Sequence, residues 1–267
     1  MKRHRIARLA LLTLVVALVP ACRSRAAGNA LTVAGSTSIQ PFADKWAEVF
    51  MAERPGKVIN VQGGGSSAGI QACKSGACDI GTSSRELKPD EKDLHEIVVA
   101  RDGLAIVVHP ANPVRGLRTS EVRQIFSGDL LSWKPLGGPD RPITVVTREE
   151  GSGTRGAFQE MVMGKVRIYS GAITEDSNGT VREIVAHDPA SIGFISLGLV
   201  NDEVRALALD GAAASDENIR NGRYELVRPF LFLTRQAPSG LAKEFIDFVL
   251  SDEGQGLVAK EGLLAIR

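Results

Sequence analysis

Three times in this chain an apolar run gives way to a turn of glycine, serine and threonine and then to helical periodicity. The turns are Gly35-Ser36-Thr37-Ser38, Gly65-Ser66-Ser67-Ala68-Gly69 and Gly151-Ser152-Gly153-Thr154. A strand that hands over directly to a helix cannot pair with its successor through a tight hairpin. It reaches a parallel neighbour by crossing over, so the repeated device predicts α/β architecture. Residues 30–34 read as a buried strand, and Ile39, Phe42, Trp46, Val49 and Phe50 then recur at helical spacing. Residues 58–61 feed the second turn, with a short helix through Ala72, and residues 143–147 feed the third, with a helix over 153–163. Residues 79–85 form a further strand that ends in hydroxyls.

The remaining pattern falls into two groups, about 31–108 and 109–226. Strands are expected at 96–100, 104–108, 192–195 and 204–209, with helices at 119–126 and 181–186. A long strand at 224–234 is interrupted by Pro229. Leu241, Phe245, Phe248 and Val249 then mark a C-terminal helix that rejoins the first group. No long linker separates the groups, so two lobes joined by crossover strands fit better than two beads on a string.

The N-terminus departs from this pattern. Residues 1–21 carry Lys2, Arg3, Arg5 and Arg8 and no acid, then an eleven-residue apolar run from Leu9 to Val19. A bilayer span takes about 20 such residues, so this is an export signal. Its end, Leu18-Val19-Pro20-Ala21-Cys22, resembles a bacterial lipobox in which Cys22 carries lipid. The alternative is ordinary cleavage near Ala26-Ala27. Residues 22–30 form a tether. With the four leader cations removed from 32 Lys+Arg, 28 remain against 31 Asp+Glu, a formal net charge of −3. That balance argues against nucleic acid as a partner, and against the membrane except through the anchor. Cys73 and Cys78 flank Gly76 in a compartment where disulfides persist; they are either a small-loop disulfide or two free thiols. No His or Cys pair nearby suggests zinc.

The turns specify a chemistry. A helix N-terminus presents unpaired N–H groups and about half a positive charge, glycine admits close approach, and hydroxyls add donors. Each turn alone is also an ordinary helix cap. Three of them, with Arg148 ahead of the third, favour one oxyanion site. Two other motifs read less well. Gly151-x-Gly153-x-x-Gly156, with Glu175 beyond it, imitates a dinucleotide fingerprint, but Glu149 and Glu150 intervene after the strand and would repel a pyrophosphate. Gly65-x-Ser67-x-Gly69 imitates a hydrolase nucleophile elbow, with Asp176 and His187 in order. Only one strand precedes the elbow's own, His187 lies in a loop signal, and His95 and His109 lack an acid partner.

These motifs, together with Asp79-Ile-Gly-Thr-Ser-Ser-Arg85, Ile125-Phe-Ser-Gly128, Trp133 with Leu136-Gly-Gly138, Arg148-Glu-Glu-Gly-Ser-Gly-Thr154, Ser191-Ile-Gly-Phe194 and Ser251-Asp-Glu-Gly-Gln255, resemble the phosphate-binding proteins of bacterial phosphate ABC transporters. The resemblance covers nearly the whole chain after the leader. It implies the two-lobed, hinge-closing type II fold of periplasmic binding proteins, lobe 1 being 31–108 plus 227–267 and lobe 2 being 109–226. It implies a monomeric, extracytoplasmic receptor for inorganic phosphate that uses no cofactor and meets a membrane permease. Other oxyanions (sulfate, molybdate, tungstate) and, further off, a secreted hydrolase are the rival readings.

Matched position by position, the resemblance places Ser36, Thr37, Ser38, Ser66 and Ser84 on phosphate from lobe 1, and Arg148, Ser152, Gly153 and Thr154 from lobe 2. Ser67 and Arg85 would support the site, Arg85 having a surface salt bridge as its alternative. Glu150 falls where relatives carry the acid that orients the arginine. Other branches of the family carry aspartate at the position of Ser84. That carboxylate accepts the proton of hydrogen phosphate and repels sulfate, so Ser84 leaves the choice between the two anions open.

Overall fold

The computed structural model describes residues 28–266. The expected export signal, Cys22 and most of the expected tether lie outside the described residues.

The first third alternates as the turns demand: β1 (Ala30–Gly35), α1 (Gln40–Glu53), β2 (Val58–Gln62), α2 (Ser66–Ser75) and β3 (Ile80–Ser83). A long strand, β4 (His95–Val108), follows. Beyond it come β5 (Gly116–Leu117), α3 (Thr119–Ser127), β6 (Thr144–Arg148), α4 (Gly153–Phe158), β7 (Ile173–Glu175), α5 (Asn178–His187) and β8 (Ser191–Ser196). The chain closes with β9 (Arg205–Ala206), β10 (Ala208–Leu209), α6 (Asp216–Arg220), β11 (Val227–Thr234), α7 (Gly240–Val249) and α8 (Asp252–Ala259). Among the described residues, no helix is long and apolar enough to cross a membrane.

Eight strands run in the order β2-β1-β3-β11-β4-β8-β6-β7, and β9 pairs with β4 off that path. β1 is parallel to β2 and β3, and β6 is parallel to β8 and β7. Between these two parallel sets, β11 runs antiparallel to β3 and β4, and β4 antiparallel to β8. The parallel strands β1, β2, β3 and β6 lead at their carboxyl ends into the hydroxyl-bearing turns, the place where open α/β sheets bind ligands.

Each parallel set has its own core. In the first, Trp46 is fully buried, donates its indole N–H to the Gly254 carbonyl at 2.7 Å, and meets Phe232 edge-on at 5.9 Å. A side chain of this size with its one donor satisfied fills the core at no polar cost. Trp46→Ala would cost about 3–5 kcal/mol. In the second, Phe126, Phe158 and Phe194 meet at centroid distances of 4.1–5.5 Å. Val99 and Ala100 belong to the first core and Leu104 to the second. The change of core therefore falls inside β4, not at its end near residue 108.

Three sequence expectations are corrected here. The two strands expected at 96–100 and 104–108 are one strand, because Asp102 and Gly103 stay in register with Arg228 and Val227 across β11. Pro229 does not interrupt β11; the irregularity falls one residue later, between Phe230 and Leu231. The strand expected at 204–209 is divided between β9 on β4 and β10 on β5.

Candidate functional site

Gly35 has φ +139°, and a Cβ there would lie 2.4 Å from the Thr82 carbonyl. Only glycine allows β1 and β3 to approach this closely at the turn. Ser36 is then committed to its own backbone. Its N–H donates to Thr82 Oγ1 (2.8 Å), and its Oγ accepts from the N–H groups of Ser38 (3.2 Å) and Ile39 (3.4 Å). Ser36 thus shapes the turn that presents Thr37 and Ser38. Ser152 is the N-cap of α4, accepting from Arg155 N–H at 3.2 Å, while its own N–H donates to the Glu149 carbonyl.

Thr37 and Ser38 meet groups from the far side of the sheet. Thr37 Oγ1 accepts from Arg148 NH2 (3.3 Å) and Asn178 Nδ2 (3.3 Å). Ser38 Oγ is 2.8 Å from Thr154 Oγ1, 2.9 Å from Asn178 Nδ2 and 3.2 Å from Arg228 NH2. From the second turn, Ser66 Oγ accepts from Ser84 N–H (3.1 Å) and lies 3.5 Å from Ser84 Oγ. Gly153 sits over this pair. A Cβ at 153 would come within 2.1 Å of Ser66 Oγ and 2.6 Å of Ser84 Oγ. Ser67 N–H donates to the Gly151 carbonyl at 3.1 Å, tying the second turn to the third. Thr37, Ser38, Ser66, Ser84, Arg148, Gly153 and Thr154 thus converge on one cleft between the two parallel sets.

Arg148 ends β6 and is 1% exposed. Its Nε and NH2 bind both oxygens of Glu149 (3.0 and 3.1 Å) and the carbonyls of Glu175 (3.1 Å) and Asp176 (2.9 Å). NH1 is buried and has no partner in the protein. Burial pushes the guanidinium down from its ordinary value, against the pull of Glu149, and the nearby charge of Arg228 pushes it the same way. The orienting acid is therefore Glu149, which corrects the assignment to Glu150. Glu149 N–H donates to Glu175 O, so the chain follows β7 for one residue past β6. Glu150 begins the turn and is exposed.

Arg85 is neither a ligand candidate nor a surface ion pair. Its NH1 and NH2 hold Glu91 bidentately at 2.7 and 2.9 Å, and both side chains are buried. NH1 also donates to the Glu86 carbonyl (2.9 Å), and NH2 to Ser67 Oγ (3.4 Å). The Arg85 hydrogen bond, more than any other contact, holds the Glu91 carboxyl below its usual range. Ser67 therefore buttresses the second turn through Arg85. The hydrolase imitation fails on geometry, since His187 is exposed and bonds the Glu183 carbonyl of its own helix at 2.8 Å.

Cys73 and Cys78 are free thiols, the second of the two alternatives. Gly76, left-handed at φ +76°, ends α2 and folds the chain back, while Cys73 Sγ is turned to the Leu233 carbonyl at 3.3 Å. The Cys78 thiol bonds Cys73, which brings the Cys73 thiol down to about 7.

Four residues of the site were not anticipated. Asn178, buried at the start of α5, donates to Thr37 and Ser38 and accepts the Ser196 N–H at 3.2 Å. Below it, Asp102 and Arg228 form a fully buried pair, and Ser196 Oγ donates to Asp102 Oδ1 at 2.8 Å. Burial pushes the Asp102 carboxyl up, against Arg228 and Ser196, and pushes Arg228 down. A charge inside an apolar run, as at Asp102 beside Arg101 within residues 97–108 and at Arg228 within 226–233, is the signal that could have exposed these two.

Comparison with known proteins agrees with this geometry. Residues 23–253 match the family model described as a PBP superfamily domain. The chain is 37% identical to the phosphate-binding protein PstS of Bacillus subtilis over 90% of this chain and 82% of that protein. It is 30% identical to the PstS of Pseudomonas aeruginosa over 91% and 84%. Among solved structures, a putative phosphate ABC transporter substrate-binding protein from Clostridium perfringens, with bound phosphate, superposes with a TM-score of 0.86 at 41% identity, covering 90% of this chain and all of that one. An ABC-type phosphate transport receptor from Vibrio cholerae gives 0.74 at 38% identity, over 88% and 99%. The chain shares the type II fold of these relatives over nearly its whole described length, and it belongs to the PstS family of phosphate-binding proteins within the PBP superfamily.

Proposed function

We propose that this protein is an extracytoplasmic receptor that closes on inorganic phosphate and delivers it to the membrane permease of an ABC transporter, and that it catalyses no reaction. The observation that carries the reading is Arg148. Its Nε/NH2 edge is fixed on Glu149, and its NH1 is buried with no acceptor in the protein, beside hydroxyls supplied by the other side of the cleft. A planar guanidinium held this way gives charge and direction to an oxyanion. Hydroxyls of Thr37, Ser38, Ser66, Ser84 and Thr154 then serve the remaining oxygens.

The groups come from two bodies, one built on each core, which divide inside β4 and are joined through β4 and β11. Only the closed arrangement brings both sets onto one anion, so phosphate shifts the open–closed equilibrium toward closure. The receptor acts as a monomer, held at the membrane by lipid on Cys22. Ser84 accepts the proton of hydrogen phosphate as a hydroxyl, without the repulsion that a carboxylate exerts on sulfate. That substitution favours a second reading, a receptor of broader oxyanion range.

The test is calorimetric titration of the chain lacking Cys22, unfolded and refolded to strip bound anion, with phosphate and sulfate at two pH values. Tight phosphate binding with weak sulfate binding is expected. Equal binding would establish the broader receptor, and binding of neither would overturn both readings.

A further inference from the structure

Two connecting strands pass beneath the cleft, and their register places Arg228 of β11 directly opposite Asp102 of β4. Arg228 is 2% exposed and Asp102 fully buried. Arg228 Nε donates to Asp102 Oδ2 at 2.9 Å, and NH2 lies 2.8 Å from the same oxygen as the ion pair. That occupies one edge of the planar fork. NH2 also donates to Ser38 Oγ at 3.2 Å. NH1 itself is buried with no partner in the protein.

The arrangement repeats that of Arg148. Each guanidinium has its Nε/NH2 edge on a carboxylate, a donor on the Thr37-Ser38 turn and a buried NH1 left over. An arginine whose task was only to neutralise Asp102 would need one edge, and a buried donor without an acceptor is costly. Resting on the phosphate-receptor reading, we propose that Arg228 is a second anion-binding guanidinium, which meets phosphate through its NH1/NH2 edge beside Ser38 while Asp102 holds its opposite edge. The two arginines then approach the anion from the second parallel set and from the connecting strand. Through Ser196, which donates to Asp102, the connecting strand is also tied to β8.

The experiment is phosphate calorimetry on the anion-stripped protein. It compares Asp102→Asn, which keeps the guanidinium, with Asp102→Asn/Arg228→Gln, which removes both charges and strands neither. The double variant should bind phosphate about 30-fold or more weakly than the single variant, a coupling typical of a charge-assisted, bidentate contact. If the double variant fails to fold, Arg228→Lys replaces it. That variant keeps a cation on Asp102 but loses the second edge, and it should weaken phosphate binding about 10-fold with its unfolding transition within a few degrees of wild type. Equal affinities across either comparison, with wild type binding phosphate, would overturn the role of Arg228 alone. A wild type that takes no phosphate would overturn the receptor reading and this one with it.

Discussion

Arg85 and Arg148 occupy similar settings and do opposite things. Each follows a buried strand, lies beside a Ser/Gly turn and is gripped by a glutamate, Glu91 or Glu149. Arg85 spends NH1 and NH2 on Glu91, Glu86 O and Ser67, so its terminal nitrogens are all committed to the protein. Arg148 is held from one edge and keeps NH1 buried without a partner. The difference lies in which edge of the fork the carboxylate takes. A carboxylate on NH1 and NH2 uses up the end of the side chain and makes a brace. A carboxylate on Nε and NH2 leaves the end directed onward and makes a receptor.

The contrast is broken most sharply at Arg148. Arg148→Ala removes the charge that faces the anion and should weaken phosphate binding by about 3–5 kcal/mol, roughly a hundred-fold or more, as calorimetry on the stripped protein would show. Undiminished affinity would mean that Arg148 is a brace like Arg85. Arg85→Ala should do the reverse. It strands the buried Glu91 and should lower stability by about 3 kcal/mol in urea unfolding, while phosphate affinity moves by no more than a few-fold. A large affinity loss with normal stability would erase the distinction between the two arginines.

Much of this was legible in the sequence because the turns are local. Gly35, Gly65 and Gly153 announce close backbone approach within a few residues of the hydroxyls they admit. Those hydroxyls converge because all three turns lie at carboxyl ends of parallel strands. What was not legible depends on contacts distant in sequence or on which way a side chain turns. Asp102 and Arg228 meet across β4 and β11, 126 residues apart, and each looks like a stray charge in an apolar run. Glu149 and Glu150 are neighbours of the same type. Only the bond from Glu149 N–H to Glu175 O, a β7 contact 26 residues on, decides which of them stays beside Arg148. Ser36 and Ser152 also accept from backbone N–H groups, a turn-shaping role that their residue type does not announce.

The brace has a pH signature of its own. Glu91 has its carboxyl held below its ordinary value, chiefly by the Arg85 hydrogen bond. A depressed folded value means that the unfolded chain takes up the proton first as pH falls. The stability from Glu91 is therefore complete above its unfolded value of about 4.3 and is lost as pH falls from there through the folded value. Against Glu91→Gln, wild type should be more stable by about 1.5–3 kcal/mol near pH 7, and the gap should narrow below about pH 4. Unfolding curves of the two proteins at a series of pH values would measure this, and a gap constant down to pH 3 would sever Glu91 from Arg85.

The smallest effect tests the boundary between brace and receptor. Asn178 is buried, and its amide divides its capacity between the two roles: Oδ1 accepts the Ser196 N–H, and Nδ2 donates to Thr37 and Ser38. Removing it leaves one backbone donor and two hydroxyls without their partner. Asn178→Asp keeps the acceptor on Ser196 N–H but replaces the donor with an oxygen that faces the anion. If Nδ2 only positions the turn, Asn178→Ala and Asn178→Asp should weaken phosphate alike, by about 1 kcal/mol or roughly five-fold. If the turn holds the anion beside Nδ2, the aspartate should be the worse of the two by a further ten-fold, because a carboxylate there repels phosphate as well as failing to donate. The site geometry favours the second outcome, since the hydroxyls that Nδ2 contacts are the same ones that meet Arg148 and Arg228. An equal loss in the two variants would move the anion away from Ser38, toward Ser66 and Ser84.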